Sequence, residues 1–438
     1  MPGTVATAVE ALGDRQVVLA RCRAGNRGGA LDEAAGRKLA AAAAGALNLA
    51  VPLVVVIASG GVDVAEGIAA LHGWGLAAAA VARCSGRVPV LMAVTGPVVS
   101  GQALLLGLAD IVCLADGATA YVSGPAMVEE MTGVRLSPSD LGGPGVHARH
   151  SGVAALTAPD EAGVLAALAE VLAYLPDSCD LLAPRAWTDD PADRPCPSLR
   201  TVLPATPTGA YDVRTVATEV SDTGSFLELW AGWAPNLVVG LAAFEGHPVG
   251  LVANQPQALA GTLDIPASQK GARFVDLCDA FNLPLLTLVD TPGFFPGKDL
   301  EWRGMIRHGG QLAFTYARAT VPRVSVILRK AYGGAYIVMD CRTMGNDLAV
   351  AWPTAEIAVM GAKGAVEILH RRASPEERAA AEAAYAGDLL TPYVAAERGY
   401  VDQVIDPADT RAVVCSALRT LRPKLDRPAP AKHDSMPC

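Results

Sequence analysis

Short runs of aliphatic and β-branched residues, each closed by glycine or proline, set the rhythm of this chain. Residues 51–57 are apolar without a break, which suits a strand covered on both faces in a parallel sheet. The run ends in Ala58-Ser59-Gly60-Gly61. Helical spacing follows over 64–82, and a second buried strand over 88–94 leads into Thr95-Gly96-Pro97-Val98-Val99-Ser100-Gly101. A short helix over 102–109, a strand over 111–114 and another ending at Ser123-Gly124-Pro125 complete this half.

The same order recurs beyond residue 211. Residues 249–254 read as a strand and 268–281 as a helix. A buried strand over 284–289 ends in Asp290-Thr291-Pro292-Gly293, and a helix spans 305–319. The strand over 323–328 leads into Lys330-Ala331-Tyr332-Gly333-Gly334-Ala335, followed by a short helix through Met339, a strand over 348–351 and one ending at Met360-Gly361. In each half the second glycine-rich loop opens a short helix. The loops are similarly spaced: 41 residues separate Ser59 from Ser100, and 44 separate Asp290 from Gly334. Alternating strands and helices imply an α/β fold with right-handed crossovers, and the repeat implies internal duplication. The expected organisation is an N-terminal domain over 1–176, a Pro-rich linker over 177–211, a C-terminal domain over 212–421 and a disordered tail over 422–438.

Residues 39–58 imitate a membrane span, carrying no charge over about the required length. Their interior argues otherwise, since Asn48 is polar and Pro52 removes a helical hydrogen bond. An Ala-rich helix, a turn near 48–52 and a buried strand are expected instead, and no membrane association. Composition agrees: 51% of the 438 residues are hydrophobic, 18% are charged and only 5% are aromatic, so a large core must be built from Ala, Val and Leu. A net charge of −9 excludes a general nucleic-acid binder. Nine cysteines, an odd number without a C-x-x-C pair, exclude a disulfide framework and a cysteine zinc site and point to buried thiols in a cytoplasmic protein. The opening residues MPGTVATAVEALGDRQ carry no signal-peptide pattern.

Candidate chemistry lies in the glycine-rich loops. Gly333-Gly334-Ala335 follows a strand and opens a helix, where main-chain N–H groups are unpaired and the dipole favours negative charge. Such a loop can hold an oxyanion, and it can equally be a tight turn with close packing. Ser100 and Gly101 are the counterpart donors. A nucleophilic role for Ser100 lacks any patterned His or Asp to activate it. The segment is no P-loop, since it lacks the Gly-Lys-[Ser/Thr] ending. The rigid Asp290–Gly297 turn sits where open α/β folds place ligands, or is a bare structural turn. The seven histidines, among them His147, His150, His308 and His370, form no metal pattern, so no metal is expected. Arg303, Arg307, Arg329 and Lys330 would meet a phosphate or solvent.

These residues resemble the carboxyltransferase (β) subunit of biotin-dependent acyl-CoA carboxylases. The stretch ANQPQALAGTLDIPASQKGARFVDLCDAFNLPLLTLVDTPGFFPG and the later RKAYGGAYIVMDCRTMGNDLAVAWPTAEIAVMGAKGAVEILHRR carry the likeness. In the first half, ASGGVDVAEG is similar to the family's DSGGARIQEG, GPVVSGQALLLG to its GPCAGGAVYSPA, and LGGPGVHARHSG to its LGG-x-x-x-H motif. The resemblance implies two tandem crotonase-like domains built as ββα superhelices, in a hexamer arranged as a trimer of dimers. In such an assembly the acyl-CoA lies on one subunit's first domain and biotin on its partner's second.

By the same resemblance, CO2 moves from carboxybiotin to the α-carbon of a short acyl-CoA through two backbone oxyanion holes. Gly334 and Ala335 match the pair facing the biotin ureido oxygen, and Ser100 and Gly101 the pair holding the thioester enolate. Ile337, Gly60, Gly61 and Gly124 fall on the substrate side, and Tyr332, Gly333, Pro292, Gly293 and Phe294 on the biotin side. Ile337 stands where propionyl-selective members carry Asp, which implies acetyl-CoA or a broader acyl range. With no ATP-binding pattern and no biotinyl Met-Lys-Met sequence, a biotin carboxylase and a biotin carrier are expected as partners.

The departures gather in the first half. The family's Asp is Ala58, its Arg is Asp63, its first oxyanion Gly is Ser100, and several dozen N-terminal residues are missing. Three further readings therefore stand: a malonyl- or methylmalonyl-thioester decarboxylase, an enzyme acting on a carrier-protein acyl group, and a non-catalytic partner subunit.

Overall fold

The computed structural model describes residues 5–22, 26–206, 208–424 and 435. The expected tail over 422–438 lies outside them apart from 422–424 and 435. The chain forms two compact units: Met1–Pro184 with Leu229–Trp233 and Ala280–Asn282, and Arg185–Glu228 with Ala234–Asp279 and Leu283–Cys438.

The first unit holds a seven-stranded sheet: β1 (Val5–Leu12), β2 (Arg15–Cys22), β3 (Leu53–Ser59), β4 (Val90–Val99), β5 (Ile111–Ala115), β6 (Thr119–Tyr121) and β7 (Leu156–Ala158). The order is β1-β2-β3-β4-β5-β7, with β6 also pairing β4. A β1–β2 hairpin is antiparallel, and the remaining pairs are parallel. The Ala-rich segment forms the helix Glu33–Leu49, capped by Asp32, whose side chain accepts from Ala35 N. It ends at Ala50 in the left-handed region, φ 53°. This helix packs on Ile68–Ala82 so closely that a Cβ at Gly36 would come within 2.2 Å of the Gly73 carbonyl oxygen.

The second unit holds an eight-stranded sheet: β8 (Leu227–Leu229), β9 (Leu237–Phe244), β10 (His247–Asn254), β11 (Leu285–Thr291), β12 (Arg323–Tyr332), β13 (Leu348–Ala351), β14 (Glu356–Ala358) and β15 (Gln403–Val404). Its order is β15-β13-β12-β11-β10-β9-β8, with β14 also pairing β12. Setting β8 aside, β9 to β15 repeat the topology of β1 to β7 strand for strand. Even the register break before Ser59 has its counterpart before Thr291. The duplication read from the sequence is thus present in the hydrogen bonding. Within the Pro-rich segment the 3-10 helix Pro197–Thr201 forms, and Cys196 and Leu199 are buried in this unit's core with Trp352, Phe244 and Leu286. Arg411, wholly buried, bonds Asp222 at 2.7 Å and the carbonyls of Pro191 and Val220 at 2.9 Å.

Several elements differ from the reading of the sequence. The helix expected over 64–82 is a 3-10 turn, Val64–Glu66, then a helix from Ile68, because Gly67 adopts φ 55° between them. The helix expected from 268 begins at Ile265, since Pro266 falls in the first turn, where its missing N–H costs nothing. Strands β4 and β12 run four or five residues past their hydrophobic cores because those ends pair with the short strands β6 and β14. Eight cysteines among the described residues are free, and burial pushes the Cys22 and Cys113 thiols up to about 12. No helix among the described residues is long and apolar enough to cross a membrane.

Candidate active site

In the second unit, β12 ends at Tyr332 and the chain turns through Gly333, φ 59°, into the helix Gly333–Val338. Only glycine takes that backbone angle without strain. Gly334 and Ala335 are the next two residues, and their N–H groups are among those a helix start leaves unpaired. Gly334 borders an apolar cavity of about 430 Å³ shared with Phe294, Met305, Ile306, Ile337 and Val338. A Cβ at Gly334 would lie 3.5 Å from the Phe294 ring, in ordinary contact across the cavity wall.

The facing loop is held from below. Thr291 Oγ1 accepts from Gly293 N at 3.4 Å, Leu263 N donates to Gly293 O at 3.1 Å, and Phe295 N donates to Leu263 O at 2.8 Å. Asp290, buried at the end of β11, pairs with Arg329 at 3.0 Å and accepts from Lys330 N at 3.1 Å. Burial raises its carboxyl, and Arg329 opposes the rise. Arg329 also donates to Gly209 O at 2.7 Å and lies over the Tyr211 ring. Arg329 is therefore a structural cation. The Tyr332 phenol donates to Glu356, and burial pushes it upward, so it stays protonated.

The first unit builds the same pair of loops from different residues. Ser59 Oγ accepts from Gly61 N at 3.3 Å and donates to Gly29 O at 2.7 Å, while Gly60 N donates to Gly28 O at 2.9 Å. A Cβ at Gly61, φ 115°, would stand 3.9 Å from that of Ser100, so Gly60, Gly61, Ser100 and Gly101 are brought together. Trp74 Nε1 donates to Gly101 O at 2.8 Å, and its indole closes over Gly101, where a Cβ would meet it at 3.1 Å. Gly124 caps the helix Pro125–Thr132 and lies against the Tyr121 ring. Where the second unit has Asp290 and Arg329, the first has Ala58 packed on Gly96. Asp63 accepts from Ala65 N at 3.0 Å as a local cap. His147 bonds Ser151 Oγ and Ala120 O, each at 2.7 Å, and thereby ties the LGG-x-x-x-H segment to β6.

One assignment needs correction. Ser100 N donates to Tyr121 O at 3.0 Å and is not a free donor. Strand registers show why. Val98 pairs with Ser59 as Ala331 pairs with Thr291, and Val99 pairs with Tyr121 as Tyr332 pairs with Ala358. Ser100 is thus the counterpart of Gly333, both with positive φ, and Gly101 and Gln102 are the counterparts of Gly334 and Ala335. The sequence spacing had set Asp290 against Ser59 and Gly334 against Ser100, one residue out at each end. Gln102, Trp74 and the Asp290–Arg329 pair escaped sequence reasoning. Laying the two halves over each other residue by residue would have exposed Gln102. No group of residues suited to a metal ion occurs among the described residues.

Residues 3–436 match the family described as the carboxyl transferase domain. The propionyl-CoA carboxylase beta chain of Saccharopolyspora erythraea is 43% identical over 435 residues, covering 94% of this chain and 79% of that one. The methylmalonyl-CoA decarboxylase subunit alpha of Veillonella parvula is 39% identical over 411 residues, covering 94% and 80%. A crystal structure of transcarboxylase 12S, described as a hexamer assembly with methylmalonyl-coenzyme A and methylmalonic acid bound, superposes with a TM-score of 0.97 at 38% identity, over 99% of this chain and 85% of that one. The two sheets with their helices are two crotonase-like domains, and the chain belongs to the carboxyltransferase family of propionyl-CoA and methylmalonyl-CoA carboxylases.

Proposed function

We propose that the chain transfers a carboxyl group between biotin on a separate carrier protein and the α-carbon of a short acyl-CoA. The observation that carries this reading is the turn at Gly333 that starts a helix at Gly334 and Ala335, with Gly334 on the wall of an apolar cavity. An oxygen that gains charge there meets donors already in place, with little reorganisation. The cavity's apolar lining fits a small bicyclic urea, with its oxygen at Gly334 and Ala335 and its rings against Phe294. Tyr332, Gly333, Pro292 and Gly293 shape the approach. Bound there, carboxybiotin would supply the carboxyl group as CO2, and its ureido nitrogen, freed when the N–CO2 bond breaks, would be available to take the α-proton that the carboxyl group replaces. In the first unit, the N–H of Gly101 and that of Gln102, in place of Ser100, hold the thioester oxygen. Gly60, Gly61 and Gly124 allow the coenzyme close to the main chain.

The protein works in the cytoplasm with a biotin carboxylase and a biotin carrier. It assembles as a hexamer, a trimer of dimers in which the first domain of one protomer meets the second domain of its partner. Support comes from apolar side chains left exposed on a single chain: Val64, Ile68 and Met131 in the first unit, Trp302, Ile306 and Val359 in the second. The Veillonella relative's name favours a second reading on the same geometry, decarboxylation of a malonyl-type thioester.

The test is Gly334→Val. A branched side chain there reaches the Phe294 ring and screens the donors. Carboxyl transfer from methylmalonyl-CoA to free biotin should fall by about a hundredfold or more, with assembly size and circular dichroism unchanged. An undiminished rate overturns the assignment. Carbon dioxide release without carboxybiotin formation in the wild type selects the decarboxylase reading.

A further inference from the structure

We infer that the side-chain amide of Gln102 is a substrate-positioning group, which engages the acyl thioester when it docks in the first unit. The inference rests on the carboxyltransferase reading above and extends it to a residue that the family's GPCAGGAVYSPA pattern does not contain, since Ala stands at this place there.

Gln102 is 0% exposed, and neither Oε1 nor Nε2 has a hydrogen-bond partner among the described residues. A buried primary amide with all its hydrogen-bonding capacity unmet is a standing cost to the fold, one that a leucine or methionine of similar bulk would not impose. Such groups are rare, and each calls for a reason. Gln102 is no loosely placed surface residue that happens to be covered. It is the second residue of the helix Gly101–Leu106, directly after the turn at Ser100 and Gly101, and its neighbours Leu105 and Leu106 on that helix are buried as well.

The repeat supplies the comparison. The counterpart of Gln102 in the second unit is Ala335, also 0% exposed, whose side chain has nothing to satisfy. The duplicated fold therefore accommodates a methyl group here, so packing does not demand an amide. What the first unit lacks is tolerance in its donors. Ser100 N is committed as a donor to Tyr121 O, and the Gly101 carbonyl, an acceptor, is held by Trp74 Nε1, so the turn that presents Gly101 N and Gln102 N cannot shift freely. The main chain of the turn is fixed from both sides. A three-torsion side chain beside it is the adjustable donor, and Nε2–H can add to the main-chain donors once a thioester oxygen is present to accept. Docking then gains twice: a hydrogen bond forms, and an unpaired amide is relieved.

The test uses the full-length protein carrying Gln102→Met or, independently, Gln102→Ala. Transfer from methylmalonyl-CoA to free biotin is measured with each substrate varied in turn. The methionine variant should melt higher than wild type by about 2 °C or more, because an unmet amide is gone. Its KM for methylmalonyl-CoA should rise about tenfold or more, while its KM for biotin stays put. Should the methionine protein not fold, the alanine variant, which carries the second unit's own side chain, should show the same split in KM. Unchanged KM for the thioester overturns the inference, whatever happens to stability. So does a parallel rise in both KM values, which marks a general disturbance of the fold. A wild-type protein that turns over neither acyl-CoA nor methylmalonyl-CoA overturns the carboxyltransferase reading, and this inference with it. Wild-type turnover with variants that match it overturns the inference alone.

Discussion

Lys270 lies in the helix Ile265–Ala280, 1% exposed, with Nζ 3.4 Å from the Ala234 carbonyl. Burial brings its ammonium down to about 7 from an ordinary 10.5. Between those values the unfolded chain holds a proton that the folded chain has shed. Stability therefore rises with pH across this window, and the burial penalty is complete below pH 7. Lys270→Met should gain most over wild type near pH 6.5, and its advantage should shrink toward pH 10 by up to about 1.4 kcal/mol per pH unit. Parallel melting curves across that range would contradict this. Ile337, 40% exposed at the edge of the 430 Å³ cavity, carries a prediction of a different kind. Ile337→Asp should shift the ratio of kcat/KM between propionyl-CoA and acetyl-CoA about 10- to 200-fold toward propionyl, read by competition. The sequence made Ile337 legible through its place in the YGGAYIVM motif. It hid Lys270, because nothing in PASQKGARF distinguishes a buried lysine from one on a wet face.

At the scale of elements, the buried strands were plain because both faces are covered, so each reads as an unbroken apolar run. Their ends were not. The last residues of β4, including Gly96 and Pro97, look like a loop and are held in the sheet by β6, which itself spans three residues, and by the pairing of Val98 with Ser59 of β3. Helix packing was equally silent in the sequence. Gly36 and Gly73 look like weak points in two helices, yet each is where the other helix passes. Gly73→Ala places a Cβ 2.7 Å from Glu33 Cα and should cost about 1–3 kcal/mol or more in a denaturation series. A neutral result would mean that the two helices separate without loss.

For the molecule as a whole, the duplication was readable from loop spacing, but an error of one residue in that spacing was enough to misassign a donor. Only hydrogen-bond register fixes which residue of a turn faces which way. Assembly is the property most open to test at this scale. Ile306→Glu and Ile68→Glu place charge on side chains 86% and 80% exposed in the single chain. If these surfaces are buried between copies, each should shift light-scattering mass from about six protomers toward smaller species, because charge in an apolar interface core is strongly disfavoured. A retained hexamer would put the contacts elsewhere.

The Gly334–Ala335 turn has a consequence for how this enzyme can be dissected. Replacing one side chain after another with methyl leaves an amide proton where it was, so a conventional scan would pass over Ala335 entirely. Exchanging that single peptide link for an ester by semisynthesis deletes the proton, preserves all side chains, and strikes the place where the chemistry is expected to reside.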